Sequence, residues 1–394
     1  MAKAARSGAS RRKERLPFEC IALVLQGGGA LGAYQAGVYE ALAAAGIHPD
    51  WVSGISIGAI NAAIIAGNAP DERVSKLRTF WERITARPTW EMAGACFGAM
   101  PHGDLARSIV NQLSAEIALF QGASDFFTPR FPPPFFQPPG SLAATSFYDT
   151  GALRSTLEEL VDFDRINAGA TRLSVGAVNV TTGNFTYFDT TRHRLRPEHV
   201  MASGALPPGF PAVEIDGEFY WDGGLISNTP LQWVVMQSGT RADTLAFQVD
   251  LWSARGRFPA TLTDVATRQK EIQFSSRTRA NTDQFKQLQE LRHALAHLLD
   301  KLPPDLRRSE EARLLGRVAD YKVYNLVHLI YRSRAYEGDS KDYEFSRRSM
   351  QEHWQSGYSH RPAEAARRRA GAARDRRAAR QVRVHPHAGF DRFR

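Results

Sequence analysis

The sequence is poor in cysteine and has no long apolar run, and each shortage excludes a class of protein. Its 394 residues include two cysteines, Cys20 and Cys96, too few for a disulfide framework or a cysteine-rich metal cluster. This usage is typical of a reducing compartment. No stretch approaches the roughly 20 apolar residues that a membrane-spanning helix needs, and the run at 20–25 is too short for a secretory signal. We therefore expect a cytoplasmic protein that contacts membranes at most peripherally.

Acidic residues are scarce at both ends of the chain. The formal net charge is +9, with six Lys/Arg against one Glu in residues 1–15 and eleven Arg against three acids in residues 361–394. The body between them is therefore mildly acidic. Arg-rich tails can bind the phosphates of anionic lipids or nucleic acids. We favour two solvated, disordered ends, with an anionic membrane surface as their candidate partner and nucleic acid not expected.

The first part of the chain alternates strands and helices. Ile21–Leu25 and Trp51–Ile55 are short apolar runs that predict buried strands, and the helical segments Ala33–Ala45 and Ile57–Ala66 follow them. This alternation predicts a parallel α/β sheet. Further patterns predict a helix at Leu153–Val161 and strands at Leu173–Val180, Phe185–Phe188, Phe219–Trp221 and Thr244–Val249.

Two other regions break this rhythm. Residues 87–150 are predicted to be an irregular insertion or lid, because prolines and phenylalanines crowd the segment 126–136. That segment is either a loop packed over the body or a lipid-contacting flap. After Thr261, apolar residues at three- and four-residue steps predict a long amphipathic helix. A strand at Val323–Ile330 and a helical segment at Gly338–Trp354 are predicted beyond it.

The first motif with chemical potential is a G-x-G-x-x-G that runs from Gly27 to Gly32. In a dinucleotide-binding fold it would hold a pyrophosphate, with an acid at the end of the second strand. Asp50 lies at about the right sequence distance but precedes that strand, so it fits poorly. Alternatively, successive glycines let backbone N–H groups point at one spot and form an oxyanion hole.

Two further motifs favour the oxyanion hole. Ser56 stands in a G-x-S-x-G between Gly54 and Gly58, and this motif links an apolar strand to an apolar helix. A nucleophile elbow needs this setting, since the serine then lies on a sharp turn at a helix N-terminus. The alternative role is an ordinary serine N-cap. Asp222 opens a third motif with Gly223 and Gly224, which by itself would predict only a turn.

Taken in order, GGGALG at 27–32, GISIG at 54–58 and DGG at 222–224 resemble the patatin-like phospholipase family in its bacterial form. The resemblance covers about residues 18–250. The segment 336–346 resembles a C-terminal domain of unknown function that follows some bacterial patatin modules. The resemblance implies a three-layer α/β/α sandwich with a mostly parallel central sheet and a helix-rich C-terminal region. The implied divisions are a basic tail at 1–17, the hydrolase domain at 18–250, the C-terminal region at 251–358 and an Arg-rich tail at 359–394.

The resemblance also implies a serine acyl hydrolase of the lipase or phospholipase A type, without cofactor or metal. Ser56 would attack the ester carbonyl, and Asp222 would accept its proton directly or through water and later activate water against the acyl-enzyme. Backbone N–H groups of Gly28, Gly29 and Ala30 would form the oxyanion hole. Leu31 stands where many members carry Lys or Arg, so ester hydrolysis is the expectation and phospholipid an inference beyond it.

Four alternatives stay open from the sequence. A Ser–His–Asp triad would take its base from His293, His297 or His328. His293 and His297 are also one helical turn apart, as in some metal sites, but no H-E-x-x-H frame surrounds them. An acyl-enzyme could pass its acyl group to another alcohol, which would make the protein a transacylase. A catalytically quiet membrane scaffold, using the Arg-rich tails, is the alternative without an enzyme activity.

Overall fold

The computed structural model describes residues 16–85, 104–237, 243–319, 324–334 and 336–371. Cys96 and most of both basic ends lie outside these ranges. The strands are β1 (Cys20–Leu25), β2 (Trp51–Gly54), β3 (Thr128–Pro129), β4 (Tyr148–Asp149), β5 (Arg172–Asn179), β6 (Phe185–Asp189), β7 (Val213–Ile215), β8 (Glu218–Asp222), β9 (Thr244–Asp250) and β10 (Tyr324–Ile330). The helices are α1 (Ala33–Ala44), α2 (Ile57–Ala66), α3 (Arg73–Ile84), α4 (Asp104–Gln121), α5 (Gly151–Leu160), α6 (Phe163–Asn167), α7 (Pro197–Ser203), α8 (Leu231–Gln237), α9 (Leu262–Lys301), α10 (Glu310–Val318) and α11 (Arg347–Ser359).

One mostly parallel sheet organises the described part of the chain. Its order is β10-β9-β1-β2-β5-β8-β7, and β6 also pairs with β5. The first five strands of this order run parallel, whereas β6, β7 and β8 are joined by antiparallel pairing. Strands β2 and β9 are buried along their whole length, which explains why neither alternates regularly between apolar and polar residues.

Alternate residues of β1 belong to two different cores. Leu23 and Leu25 pack with α1, α2, α3 and α11 on one face of the sheet. Ala22 and Val24 pack with α8 on the opposite face, through Leu231 and its neighbours. Since successive side chains of a strand point to opposite faces, helices cover the sheet on both sides. This arrangement confirms the predicted α/β/α sandwich.

The C-terminal region completes this sandwich. Strand β10 extends the sheet by pairing in parallel with β9, and Trp354 of α11 lies in the larger core. Helices α1 and α11 approach closely because Gly37 and Gly357 have no side chains; a Cβ on either would overlap the backbone of the other helix. Residues beyond 250 are therefore continuous in packing with the part that carries the motifs.

Three predicted features differ from the structure. The prediction of an irregular segment over 87–150 is wrong for the 18-residue helix α4, because the prolines that motivated it lie beyond Gln121. The helical segment predicted at Gly338–Trp354 is wrong up to Ser346, whose side chain caps the actual start of α11. In the Arg-rich tail, residues 362–371 are helical, and Ala366 and Ala370 are buried, so this stretch is packed rather than solvated.

Candidate active site

Ser56 lies on the sharp turn between β2 and α2. Its backbone adopts φ 55° and ψ −128°, a left-handed region that a side chain tolerates only when the surroundings impose it. The N–H of Ser56 donates to the carbonyl of Ser203 at 3.1 Å. A Cβ at Gly54 would overlap the carbonyl of Gly58, and a Cβ at Gly58 would overlap the carbonyl of Leu25. The two motif glycines therefore permit the turn and the close approach of α2 to β1.

Asp222 ends β8 at the same level of the sheet as Ser56. Gly54 is in register with Val175 of β5, and two residues further along β5 Ala177 is in register with Asp222. The side chain of Asp222 is 1% exposed, and its Oδ1 accepts the N–H of Gly224 at 2.7 Å.

Burial raises the pKa of Asp222 to about 7, an effect opposed by hydrogen bonds from the Ser56 hydroxyl and the Gly224 N–H. A carboxylate removed from water is penalised relative to its neutral form. The carboxyl group thus lies beside the predicted nucleophile, whose hydroxyl lowers its pKa, and is poised to take up a proton near neutral pH. The structure brings together these two predicted site residues.

The glycine loop passes beside this pair. A Cβ at Gly27 would lie 3.0 Å from the Cβ of Ser56. Gly29 has φ +54°, which favours glycine. In the described part of the chain, the N–H groups of Gly28 and Gly29 have no protein acceptor, whereas the N–H of Ala30 donates to the carbonyl of Asp342 at 2.8 Å. The three predicted oxyanion donors are therefore not equivalent.

Leu31 and Gly32 are packed closely by neighbouring side chains inside the protein. Leu31 is fully buried in the core, and a Cβ at Gly32 would lie 2.6 Å from the side chain of Ile57 and 2.9 Å from that of Trp81. A cationic side chain in place of Leu31 would need a different path to reach solvent. The apolar residue at this position fits the packing of this chain.

Two polar residues at the site were missed by motif analysis. Asn228 is buried and makes two hydrogen bonds to the glycine loop. Its side-chain Nδ2 donates to the carbonyl of Gly27 at 3.0 Å, and its backbone carbonyl accepts the Gly27 N–H at 3.1 Å. Ser203 donates through its Oγ to the carbonyl of Gly176 at 2.6 Å, which fixes the residue that receives the Ser56 N–H. The asparagine could have been found as the first polar amide after the DGG motif; Ser203 had no such signal.

The histidine candidates lie elsewhere. His328 is on β10 and hydrogen-bonds to Asp250 of the adjacent β9. Strand β10 is three positions from β2 in the sheet, a separation of about 14 Å at the usual strand spacing. His293 and His297 are on α9. Among the described hydrogen bonds, those of Ser56 involve no histidine. The geometry therefore favours the dyad over the triad.

The nucleotide and metal alternatives are not supported either. The carboxylate of Asp50 accepts the N–H of Ile21 at 2.8 Å, near the amino end of β1, whereas the glycine loop follows its carboxyl end. An acid at the opposite edge of the sheet cannot contact a ribose held by that loop. The described ranges hold no group of three or more His, Cys, Asp or Glu residues arranged for a metal ion.

The comparisons with known proteins identify a family. The sequence profile described as patatin-like phospholipase matches residues 23–234, more than half of the chain, and a second profile, described as patatin phospholipase, matches residues 272–376. The chain belongs to the patatin-like phospholipase family and is, as a member, an ester-hydrolysing enzyme of the lipid acyl hydrolase class.

Similarity beyond the family profiles is slight. No curated protein matches the chain. The crystal structure of VipD from Legionella pneumophila aligns with 88% of this chain and 67% of its own, with a TM-score of 0.37 and 16% sequence identity. No helix in the described ranges is long and apolar enough to cross a bilayer.

Proposed function

We propose that the protein hydrolyses carboxylic esters of lipids through a Ser56–Asp222 dyad. The observation that carries this proposal is the placement of the Ser56 hydroxyl beside the buried carboxylate of Asp222, whose pKa burial raises to about 7 and the hydroxyl lowers. A carboxylate with that pKa accepts a proton far more readily than an exposed aspartate does. The strained turn at Ser56 supports the same role, because such strain is characteristic of nucleophile elbows.

The reaction has two halves. Ser56 Oγ attacks the ester carbonyl while its proton moves to Asp222, and the tetrahedral oxyanion is stabilised by N–H groups of the glycine loop. Collapse expels the alcohol, which takes the proton back from Asp222, and leaves an acyl-enzyme. Water then attacks the acyl-enzyme with Asp222 as its base, which releases the fatty acid and restores Ser56. An alcohol in place of water would give the transacylase outcome.

A patch of exposed phenylalanines in the segment 126–136 supports a lipid substrate. Phe131, Phe135 and Phe136 are 94%, 82% and 78% exposed, whereas Phe126 and Phe127 at the start of the same segment are buried. Exposed aromatic groups of this size mark contact surfaces.

This segment is tied to the active site through the backbone. Its strand β3 pairs with β4, where the N–H of Tyr148 donates to the carbonyl of Gly209 at 2.9 Å. In the stretch before Gly209, the carbonyls of Ser203 and Ala205 accept the N–H groups of Ser56 and Asp222. We therefore assign the exposed part of 126–136 to contact with the lipid surface from which the substrate is drawn.

The test is a panel of lipids and a short-chain nitrophenyl ester, with a fluorophosphonate probe for the nucleophile. Ser56→Ala should abolish both probe labelling and hydrolysis, and Asp222→Asn should lower kcat by about a thousandfold or more. For the native enzyme, kcat/KM should rise as the pH increases through about 7, since Asp222 must be ionised to act as a base.

Other outcomes separate the alternatives. Full hydrolysis by Ser56→Ala would refute the dyad. Loss of activity on replacing His328, with Asp222→Asn still active, would establish the triad. If the fluorophosphonate probe does not label the native protein, and the protein binds anionic vesicles in a salt-sensitive manner, the scaffold alternative would hold.

A further inference from the structure

The C-terminal region contacts the glycine loop directly at the active site. Besides the hydrogen bond from Ala30 to the carbonyl of Asp342, the missing side chain of Gly29 makes room for that same carbonyl, which a Cβ would overlap. The contact joins two backbones, so it constrains the loop more tightly than a contact between flexible side chains would.

An ion pair holds Asp342 in this place. The Nζ of Lys270, on α9, donates to Asp342 Oδ1 at 2.9 Å and to the carbonyl of Asp339 at 2.8 Å. The adjacent Lys341 is buried, and its Nζ donates to Glu271 Oε1 at 2.7 Å. Two successive residues of α9 therefore hold the segment 339–342 from one side.

The other side of the loop is held by the end of β9. The indole N–H of Trp252 donates to the carbonyl of Gly27 at 3.1 Å, and the side chain of Leu251 fills the space that a Cβ at Gly28 would need. The buried Gln26 accepts the N–H groups of Leu251 and Trp252 through its Oε1. The loop thus lies between two supports, and the one at Asp342 belongs to the C-terminal region.

We propose that Lys270 and the segment 339–342 position the glycine loop for catalysis. The carbonyl of Asp342 takes up the Ala30 N–H and leaves the N–H groups of Gly28 and Gly29 as the donors to the oxyanion. Preorganised donors stabilise a transition state only when they are held in place before the reaction, and Lys270 is the positioning residue that holds them here. This inference rests on the proposed function and gives the C-terminal region a part in it.

The experiment compares full-length Lys270→Met, Lys270→Arg and the native enzyme. The readouts are the rate of fluorophosphonate labelling, kcat and KM for a soluble nitrophenyl ester well below the melting temperature, and the melting temperature itself. Lys270→Met should lower kcat and the labelling rate roughly tenfold to a hundredfold, the effect of a small misplacement of catalytic groups, with KM unchanged. Lys270→Arg should recover most of the loss, because the ion pair survives.

The matched control is Arg83→Met, which breaks the ion pair between Arg83 and Glu159 on the surface and should leave kcat and labelling unchanged. Wild-type labelling by Lys270→Met, or a lower melting temperature with unchanged kcat, would overturn the inference and leave the proposed function standing. If Lys270→Met does not fold, Asp342→Asn decides: it should lower kcat in the same direction, and wild-type kcat refutes the inference. Failure of the native enzyme to label would instead refute the proposed function.

Discussion

In the proposed dyad, the buried carboxyl group of Asp222 is needed for activity but lowers stability at alkaline pH. Replacing Asp222 with asparagine separates the two effects. Asparagine has the same shape, and its Oδ1 can still accept the N–H of Gly224 that Asp222 accepts at 2.7 Å. Its amide does not titrate and cannot take a proton from Ser56. We expect Asp222→Asn to be inactive and yet more resistant to unfolding at alkaline pH.

The magnitude follows from the pKa of the buried carboxyl group. Because burial raises this pKa from 3.8 to about 7, the folded protein binds the proton more tightly than the unfolded chain. The stabilisation from proton binding is complete below the unfolded pKa and is lost as the pH rises through about 7. The loss reaches about 4 kcal/mol at pH 8. Between pH 5 and pH 8, the difference in unfolding free energy between the two proteins should shift by about 3 kcal/mol in favour of Asp222→Asn.

The assay is urea unfolding followed by circular dichroism, for both proteins at both pH values. Comparing the same pair at two pH values cancels any pH-independent effect of the substitution, and the other titrating groups are common to both proteins. A difference in unfolding free energy that stays constant from pH 5 to pH 8 would show that Asp222 titrates like an exposed carboxyl group. The explanation of its basicity by burial would then be wrong.

Two further predictions concern the nucleophile turn and the exposed phenylalanines. Since Ser56 is held at φ 55°, Ser56→Gly should be more stable than Ser56→Ala by about 1 kcal/mol in urea unfolding; a less stable glycine variant would mean that the turn is unstrained. Replacing Phe131 and Phe135 with serine should reduce hydrolysis of vesicle lipid severalfold and leave the soluble nitrophenyl ester unaffected, because both rings are exposed in the segment that we assign to the lipid surface. An equal loss on both substrates, with Phe127→Leu as the packing control, would assign the segment a structural role.

The local sequence pattern was sufficient to predict many of the strands and helices around the site. The predicted strand at 21–25 and helix at 57–66 are found as β1 and α2, because apolar segments that end at a glycine specify buried elements without reference to distant residues. Ser56 could be proposed from the sequence for the same reason: its turn depends on the two glycines beside it, and both are in the sequence.

Contacts between residues that are distant in sequence could not be predicted from local pattern. Asp222 meets Ser56 because β8 pairs antiparallel to β5 in one particular register, and only the family resemblance suggested it. The roles of Ser203 and Asn228 depend on backbone groups from other strands and loops. The helical expectation for 338–346 failed because tertiary hydrogen bonds, including the one from Ala30 to Asp342, hold that segment in turns.

The amino-acid sequence by itself determined many of the strands and helices around the site, the sharp turn that presents Ser56, and the family to which these motifs point. These depend on residues close together in the chain, where steric limits and apolar burial act locally. Tertiary structure decided which carboxylate lies beside Ser56, how strongly burial raises the pKa of that carboxylate, and which N–H groups of the glycine loop stay available. Each of these depends on the distance between residues far apart in sequence, and only the packed sheet with its C-terminal region defines that distance.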